Sequence, residues 1–361
     1  MSIFKAGVYK QIEIRDKKIF SLVEEAGNLL GRFNAYSSLF LDAKFFIQMH
    51  VIKEATTSSL IEGTKTNIDE ILLPKEEVYP ERRDDWQEVQ NFIKATNFAI
   101  TQLSKIPLSI RLINDIHGIL LSGVRGKYKT PGEIRKSQNW IGGNSLKNVT
   151  FTPPHQDDLP MLLSDLEKFW HNEELSIPFL IKVAISHYQF ETVHPYLDGN
   201  GRIGRLLIIL QFVEHGLLEK PTLYLSEYFE KNRTEYYDSL SRVRINNDLD
   251  QWLIFFLHGL IKTSEKGIVT FDKIIRLQKN CYKKITTLGR RSELGNKLLK
   301  VLFTKPIVNV NKIVEELEIT FPTANAIISD FEKIGVFKEV TGFARNRLFS
   351  FVEYINLFKN V

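Results

Sequence analysis

Apolar residues recur at every third and fourth position over long stretches of the chain, while short alternating runs are few, so the pattern predicts a mainly α protein. Helical patterns cover 18–34 and 37–62, the second closed by Gly63, a residue favoured just past a helix end. After the polar connector LLPKEEVYPERRDD, further patterns at 86–104, 109–122, 158–171, 178–193, 202–215 and 249–262 form a main helical domain. One stretch, from Gly132 to Pro154, breaks this rhythm. Two strand-capable runs there flank Gly142, Gly143, Asn144 and Ser145, a hairpin signature whose exposed edge can pair with an extended peptide. Near the C-terminus, helices at 310–317 and 322–334, the latter closed by Gly335, precede VFKEVT and RNRLFSF, two runs parted by Gly342. That order predicts a helix-turn-helix with a β-wing. The expected organisation is an N-terminal helical region (1–85), the main domain (86–262), a basic helical linker (263–296) and a winged module (297–361).

The densest chemistry lies between two apolar helices. The helix PFLIKVAISHYQFETV must end near Val193, because Pro195 disfavours helix for its predecessor, and this leaves His194 at the exit. Gly199, Asn200 and Gly201 lead directly into the next helix, RIGRLLIILQFVEHGLL. Such a terminus presents unpaired N–H groups and the positive end of the helix dipole, and the glycines let an anion approach. Phosphate suits it. Arg202 and Arg205, three apart, oppose the dipole unless an anion is present, and their guanidinium forks match phosphate oxygens. Asp198 would repel a bare phosphate, but a carboxylate beside phosphates is a common holder of Mg²⁺. His194 has the ordinary pKa of a general base near neutrality.

Composition adds limits. With 43% hydrophobic and 25% charged residues among 361, the chain reads as a globular protein of two or three domains. No apolar run reaches the roughly 18 residues of a membrane span, and the N-terminus lacks a secretory pattern, so a protein without membrane contact, in the cytoplasm, is expected. The single cysteine, Cys281, excludes an intrachain disulfide and agrees with a reducing compartment. Net charge is +5, with eleven basic against three acidic residues from Lys262 to Lys300. Residues 297–361 carry nine basic and seven acidic groups, so the winged module is as well suited to contact protein as to contact DNA.

HPYLDGNGRIGR, residues 194–205, resembles the signature HPFxDGNGRxxR of the Fic family, with Tyr196 as the one departure. The resemblance implies a Fic-type helical bundle with a β-hairpin flap, and transfer of AMP from ATP to a Tyr, Ser or Thr hydroxyl of a target protein. In that scheme His194 is the base, Asp198 holds Mg²⁺, the amides of Gly199, Asn200 and Gly201 bind phosphate with Arg205, and Arg202 steadies the departing pyrophosphate. The hairpin corresponds to the target-binding flap, with Trp140 and Ile141 as contacts. Tyr236 and Tyr237 are the expected adenine-stacking residues.

A second motif bears on control. Glu62 falls in the last turn of a predicted helix, where a negative charge opposes the dipole unless a cation compensates it, and Ser58 lies one turn earlier on the same face. The string SSLIEG, Ser58 to Gly63, resembles the family's inhibitory motif [S/T]xxxE[G/N]. The implied partner of Glu62 is Arg205, in the place of the ATP γ-phosphate. Alternatives are removal of AMP from modified protein, transfer of another phosphate-containing group at the same site, or a DNA-binding regulator built on the winged module. Homodimerisation is a further expectation, since self-restraint in the family can depend on assembly.

Overall fold

The computed structural model describes residues 14–38, 43–123, 125–142, 151–342 and 346–359. The N-terminal part holds α1 (Lys18–Ser38), α2 (Ala43–Ile61) and α3 (Ile68–Leu72). The middle holds α4 (Arg83–Leu103), α5 (Ile110–Leu120), α6 (Leu159–Trp170), α7 (Phe179–Val193), α8 (Asn200–Glu214), α9 (Ser226–Lys231) and α10 (Arg233–Asn246), followed by α11 (Leu249–Thr286). The chain then forms α12 (Ser292–Thr304), β1 (Ile307–Val308), α13 (Val310–Leu317), α14 (Phe321–Lys333), β2 (Lys338–Glu339), β3 (Phe349–Ser350) and α15 (Val352–Lys359). The mainly α expectation holds, and no helix among the described residues is long and apolar enough to cross a membrane.

The sequence starts its helices with side-chain caps. Ser109 accepts from the Leu112 N–H at the start of α5, Asn309 does so from Lys312 at α13, and Asn67 with Glu70 forms a reciprocal capping box at α3. In α7 every residue from Leu180 to Val193 is buried. A helix buried on all sides belongs at the centre, and α7 packs there against α6, α8 and α11. The first turn of α8 is thereby held at the heart of the molecule, and α2 lies against α4, α8 and α9 beside it.

Three expectations change. The helix expected at 249–262 runs on to Thr286, because Phe271, Ile274, Leu277, Cys281 and Ile285 continue the buried face into the segment read as a basic helical linker. Gly267 does not break it. A Cβ there would lie 2.3 Å from the Phe33 ring, so the glycine admits α1 against α11. The helix expected from 37 begins at Ala43. The C-terminal strand runs shrink to two residues each, in a three-stranded antiparallel sheet of order β1-β3-β2 that pairs Val308 and Glu339 with Phe349. Neither β1 nor α15 was anticipated. α15 returns to the main body, where His50 of α2 has its ring centroid 5.2 Å from Phe271 and 5.1 Å from Phe358. Of the expected hairpin, Ile141 and Phe151 form an antiparallel bridge, while Gly143, Asn144 and Ser145 lie outside the described residues.

Candidate active site

The α7–α8 turn is built by its own short side chains. His194 adopts a left-handed backbone at φ 48°, a conformation that costs a non-glycine residue about 1–3 kcal/mol unless its surroundings enforce it. Here they do. Asn200 accepts from the Tyr196 N–H at 2.9 Å and donates back to the Tyr196 carbonyl at 2.8 Å. The Tyr196 hydroxyl donates to Asn114 at 2.7 Å, and its ring stacks on His117 at 3.8 Å. His117 accepts from the Gly132 N–H through Nδ1, so its Nε2 carries the proton donated to the Asp198 carbonyl at 3.0 Å. Burial pushes His117 down to about 4, which keeps it in that neutral form. Arg135, only 2% exposed, donates to the carbonyls of His194 (2.9 Å), Ser137 (3.0 Å) and Pro154, and so ties the hairpin base to the turn.

At the α8 N-terminus the anion position already holds a carboxylate. A Cβ on Gly201 would fall 2.2 Å from Glu62 Oε1, so the absence of a side chain there is what lets Glu62 lie over the first turn. Arg205 is buried, and it donates from Nη2 to Glu62 Oε1 at 2.7 Å, from Nη2 to the Ser58 carbonyl at 2.9 Å, and from Nε to Ser58 Oγ at 2.8 Å. Burial raises the Glu62 carboxyl, but the Arg205 guanidinium, helped by Arg202 and His194, outweighs it and holds the group below its ordinary range. Gly63 follows at φ 99°, a backbone that glycine adopts without strain. Arg233 donates to the Ile61 carbonyl at 2.8 Å and fastens the end of α2.

Arg202 answers to other partners, Glu88 and Asp198, each at 3.3 Å. The Asp198 side chain also accepts from the Gly199 N–H at 2.6 Å and stays 44% exposed. One half-exposed carboxylate at a helix N-terminus is a donor set that fits Mg²⁺ shared with phosphates, not a cation cage made by protein alone. Among the described residues no three His, Cys, Asp or Glu side chains gather as a metal site. His194 is half-buried; desolvation, with Arg244 and Arg135 adding to it, lowers it to about 4 against the opposing pull of the Glu191 carbonyl and the Glu62 charge. Its imidazole is therefore neutral at pH 7 and able to accept a proton.

The two tyrosines separate. Tyr236 is 1% exposed, stacks on Phe229 at 4.5 Å and hydrogen-bonds His187 at 2.8 Å, so core packing takes it out of the expected adenine-stacking pair. Tyr237 is 40% exposed, with the Arg233 guanidinium 6.0 Å from its ring centre, and it feels the charges of Glu62 and Arg205. Trp140 is exposed, and its neighbour Asn139 donates to the Tyr196 carbonyl at 3.3 Å. On the return run, Phe151 lies under the Arg244 guanidinium at 4.0 Å. His117, Asn114, Arg135 and Arg244 were not singled out from the sequence. A lone histidine or arginine in an ordinary helical or loop pattern carries no signal of its partners.

Comparison with known proteins agrees with this geometry. Residues 20–101 match a family model described as Fic/DOC family N-terminal, and residues 107–212 match the Fic/DOC family model, together more than half of the chain. A probable protein adenylyltransferase of Aquifex aeolicus is 27% identical over 238 residues, 66% of this chain and 62% of that protein. The protein adenylyltransferase Fic of Drosophila yakuba is 32% identical over 117 residues, 32% of this chain and 21% of that protein. The matches thus span less than two thirds of these relatives' length. Among solved structures, a Fic family protein from Desulfovibrio desulfuricans superposes with TM-score 0.62 at 20% identity, covering 95% of this chain and 98% of that one. A Fic domain containing signaling protein from Bacteroides thetaiotaomicron gives 0.56 at 18%, covering 68% and 96%. At such identities the likeness speaks for the fold. With the two models covering more than half of the chain and the second containing the turn HPYLDGNGRIGR, the chain belongs to the Fic/DOC family.

Proposed function

We propose that the protein is an adenylyltransferase that moves AMP from ATP to a Tyr, Ser or Thr hydroxyl of a target protein, and that Glu62 restrains it. The observation that carries this reading is the Glu62 carboxylate, bonded to Arg205 and lying over Gly201 where a helix N-terminus attracts an anion. A γ-phosphate offers the same charge to the same guanidinium. The target oxygen attacks the α-phosphorus, a new P–O bond forms, the bond to the bridging oxygen breaks, and pyrophosphate leaves. The hydroxyl proton passes to the neutral imidazole of His194. Asp198 would hold Mg²⁺, which when bound neutralises charge on the phosphates. Backbone amides of Gly199 to Gly201 complete the phosphate cradle; the Asn200 side chain is committed to the turn. Arg202 is available to the pyrophosphate once that anion competes with Asp198 and Glu88. Trp140 and Ile141 stand at the hairpin to meet a target main chain, and Tyr237 is the stacking candidate for adenine.

The C-terminal module is proposed as a winged helix on the order of its helices and strands. Its contacts with α2 through α12 and α15 favour a role inside the molecule over DNA recognition. The test of the activity is incorporation of labelled AMP from ATP into proteins of a host extract or into the chain itself. Glu62→Gly should raise the rate, with an added mass of about 329 Da, as group transfer of AMP requires. An unchanged or lower rate, or an adduct of another mass, overturns the proposal.

A further inference from the structure

The chemistry above leaves the buried Glu191 carboxyl, which faces the first turns of α8, without a task. Glu191 lies on α7 one turn before His194 and is 8% exposed, and its Oε1 has no hydrogen-bond partner among the described residues. It rests against α8 so closely that a Cβ on Gly204 would fall 2.2 Å from that oxygen. Two carboxylates therefore reach the early turns of α8 over two glycines, Glu62 over Gly201 and Glu191 over Gly204. Both act on the Arg205 charge, but only Glu62 is bonded to it.

The charged and titratable groups whose electrostatics act on Glu191 come from three other elements: Arg205 of α8, Glu62 at the end of α2, and Arg244, Tyr236 and Tyr237 of α10. Burial lifts the Glu191 carboxyl to about 7; Arg205 pulls it down, Glu62 pushes it up, and Arg244 pulls it down again. Arg205 itself is 4% exposed. Were Glu62 to withdraw with no phosphate yet in place, that guanidinium would be left as an uncompensated buried charge, which is strongly destabilising.

We propose that Glu191 is a positioning residue that acts as the standby counter-charge of Arg205, neutral while Glu62 or a nucleotide phosphate faces the guanidinium and ionised when neither does. The inference rests on the reading of Arg205 as a phosphate partner. Its sign follows from the neighbours. Loss of the Glu62 charge removes an influence that raises the carboxyl, so Glu191 ionises more readily and releases a proton. Arrival of phosphate restores the negative neighbour, and the proton returns.

The test is calorimetric titration of Mg-ATP into full-length Glu62→Gly/His194→Ala protein, and into the same protein carrying Glu191→Gln, in buffers of different ionisation enthalpy near neutral pH. Proton uptake should be greater with Glu191 present, by up to about one proton per nucleotide, and affinity should then fall by up to about tenfold per pH unit above neutrality. Equal proton uptake by the two proteins overturns the standby role while leaving the nucleotide site intact. Absence of ATP binding by both overturns the nucleotide reading and this inference with it. If the Gln variant does not fold, a flat affinity between pH 6.5 and 8.5 in the parent has the same overturning force.

Discussion

Arg202 and Arg205 stand three residues apart on α8 and answer to different regions of the chain. Arg202 meets Asp198 of its own loop and Glu88 of α4 at 3.3 Å each, at an end where Asp198 is half-exposed. Arg205 makes three shorter bonds to Ser58 and Glu62, 147 and 143 residues away, in a buried setting. Both guanidiniums are buried, Arg202 at 3% and Arg205 at 4% exposed, so the contrast lies in their bonds: the two longer contacts of Arg202, one of them to the half-exposed Asp198, exchange more readily than the three shorter bonds of Arg205. Under the proposed function, the helix has a catalytic end whose ion pairs would give way to metal and phosphate, and a regulatory end that would yield only to a competing anion.

The largest expected effect breaks the catalytic end. In a Glu62→Gly background, His194→Ala should lower the initial rate of AMP labelling about 10²–10⁴-fold, the usual worth of a general base. A rate within a few-fold of the parent would remove His194 from that role. At the regulatory end, Ser58→Ala deletes a hydrogen bond to a charged group worth about 1.5–3 kcal/mol. Labelling should rise about tenfold or more, without passing the rate of Glu62→Gly. Glu88→Ala, which touches Arg202 instead, should give no activation. If it activates as Ser58→Ala does, the two ends are not distinct.

The tyrosines sharpen the contrast between site and scaffold. Tyr237→Ala should raise the KM for ATP about 5-fold or more, on a stacking contribution of about 1–3 kcal/mol, with little change in melting temperature. Tyr236→Ala should instead lower the melting temperature, since it leaves His187 Nε2 unpaired in the core. The reverse pattern would reassign the adenine contact.

A smaller effect concerns pH. Glu54 is buried on α2, one turn before Ser58, and accepts from the Ser226 hydroxyl; burial pushes its carboxyl up to about 7, against the lowering influence of that bond and of Arg205. The stability tied to its raised value is present below about pH 4.5 and is lost as pH rises through 7. Glu54→Gln should therefore gain stability relative to the parent between pH 5 and pH 8, by at most about 3 kcal/mol in denaturant unfolding. The histidines work the other way. His117 and His194 at about 4 and His187 at about 3 are depressed by burial, so their contribution is present above about pH 6.5 and is lost on acidification toward 4. A Glu54→Gln gain that does not grow with pH would show that this carboxyl is not held neutral.

Much of the site could be read from short spacing. Residues 194–205 announce a helix exit, a glycine turn and a helix start, because the preferences of proline and glycine are local. Ser58 and Glu62 share a face at helical spacing for the same reason. What could not be read was anything that depends on a partner far along the chain. Tyr236 and Tyr237 are adjacent and chemically alike, and only packing sends one to Phe229 and His187 and leaves the other facing Glu62. The 263–286 segment looked like a charged linker because its lysines are conspicuous; α1 lies along its apolar face and makes it part of the core. His117 and Arg135 hold the turn through backbone carbonyls and amides, groups that every residue has and no sequence pattern marks.

The sequence by itself determined a helical protein with an anion-ready helix terminus, a histidine at its mouth and a carboxylate in search of a cation, because propensity, capping and charge act over a few residues. Tertiary structure decided which cation that carboxylate found. The closure of α2 onto α8 brings Glu62 over Gly201 and buries Arg205 beneath it, and burial of the guanidinium makes a pairing of charges that would be weak at the surface costly to break.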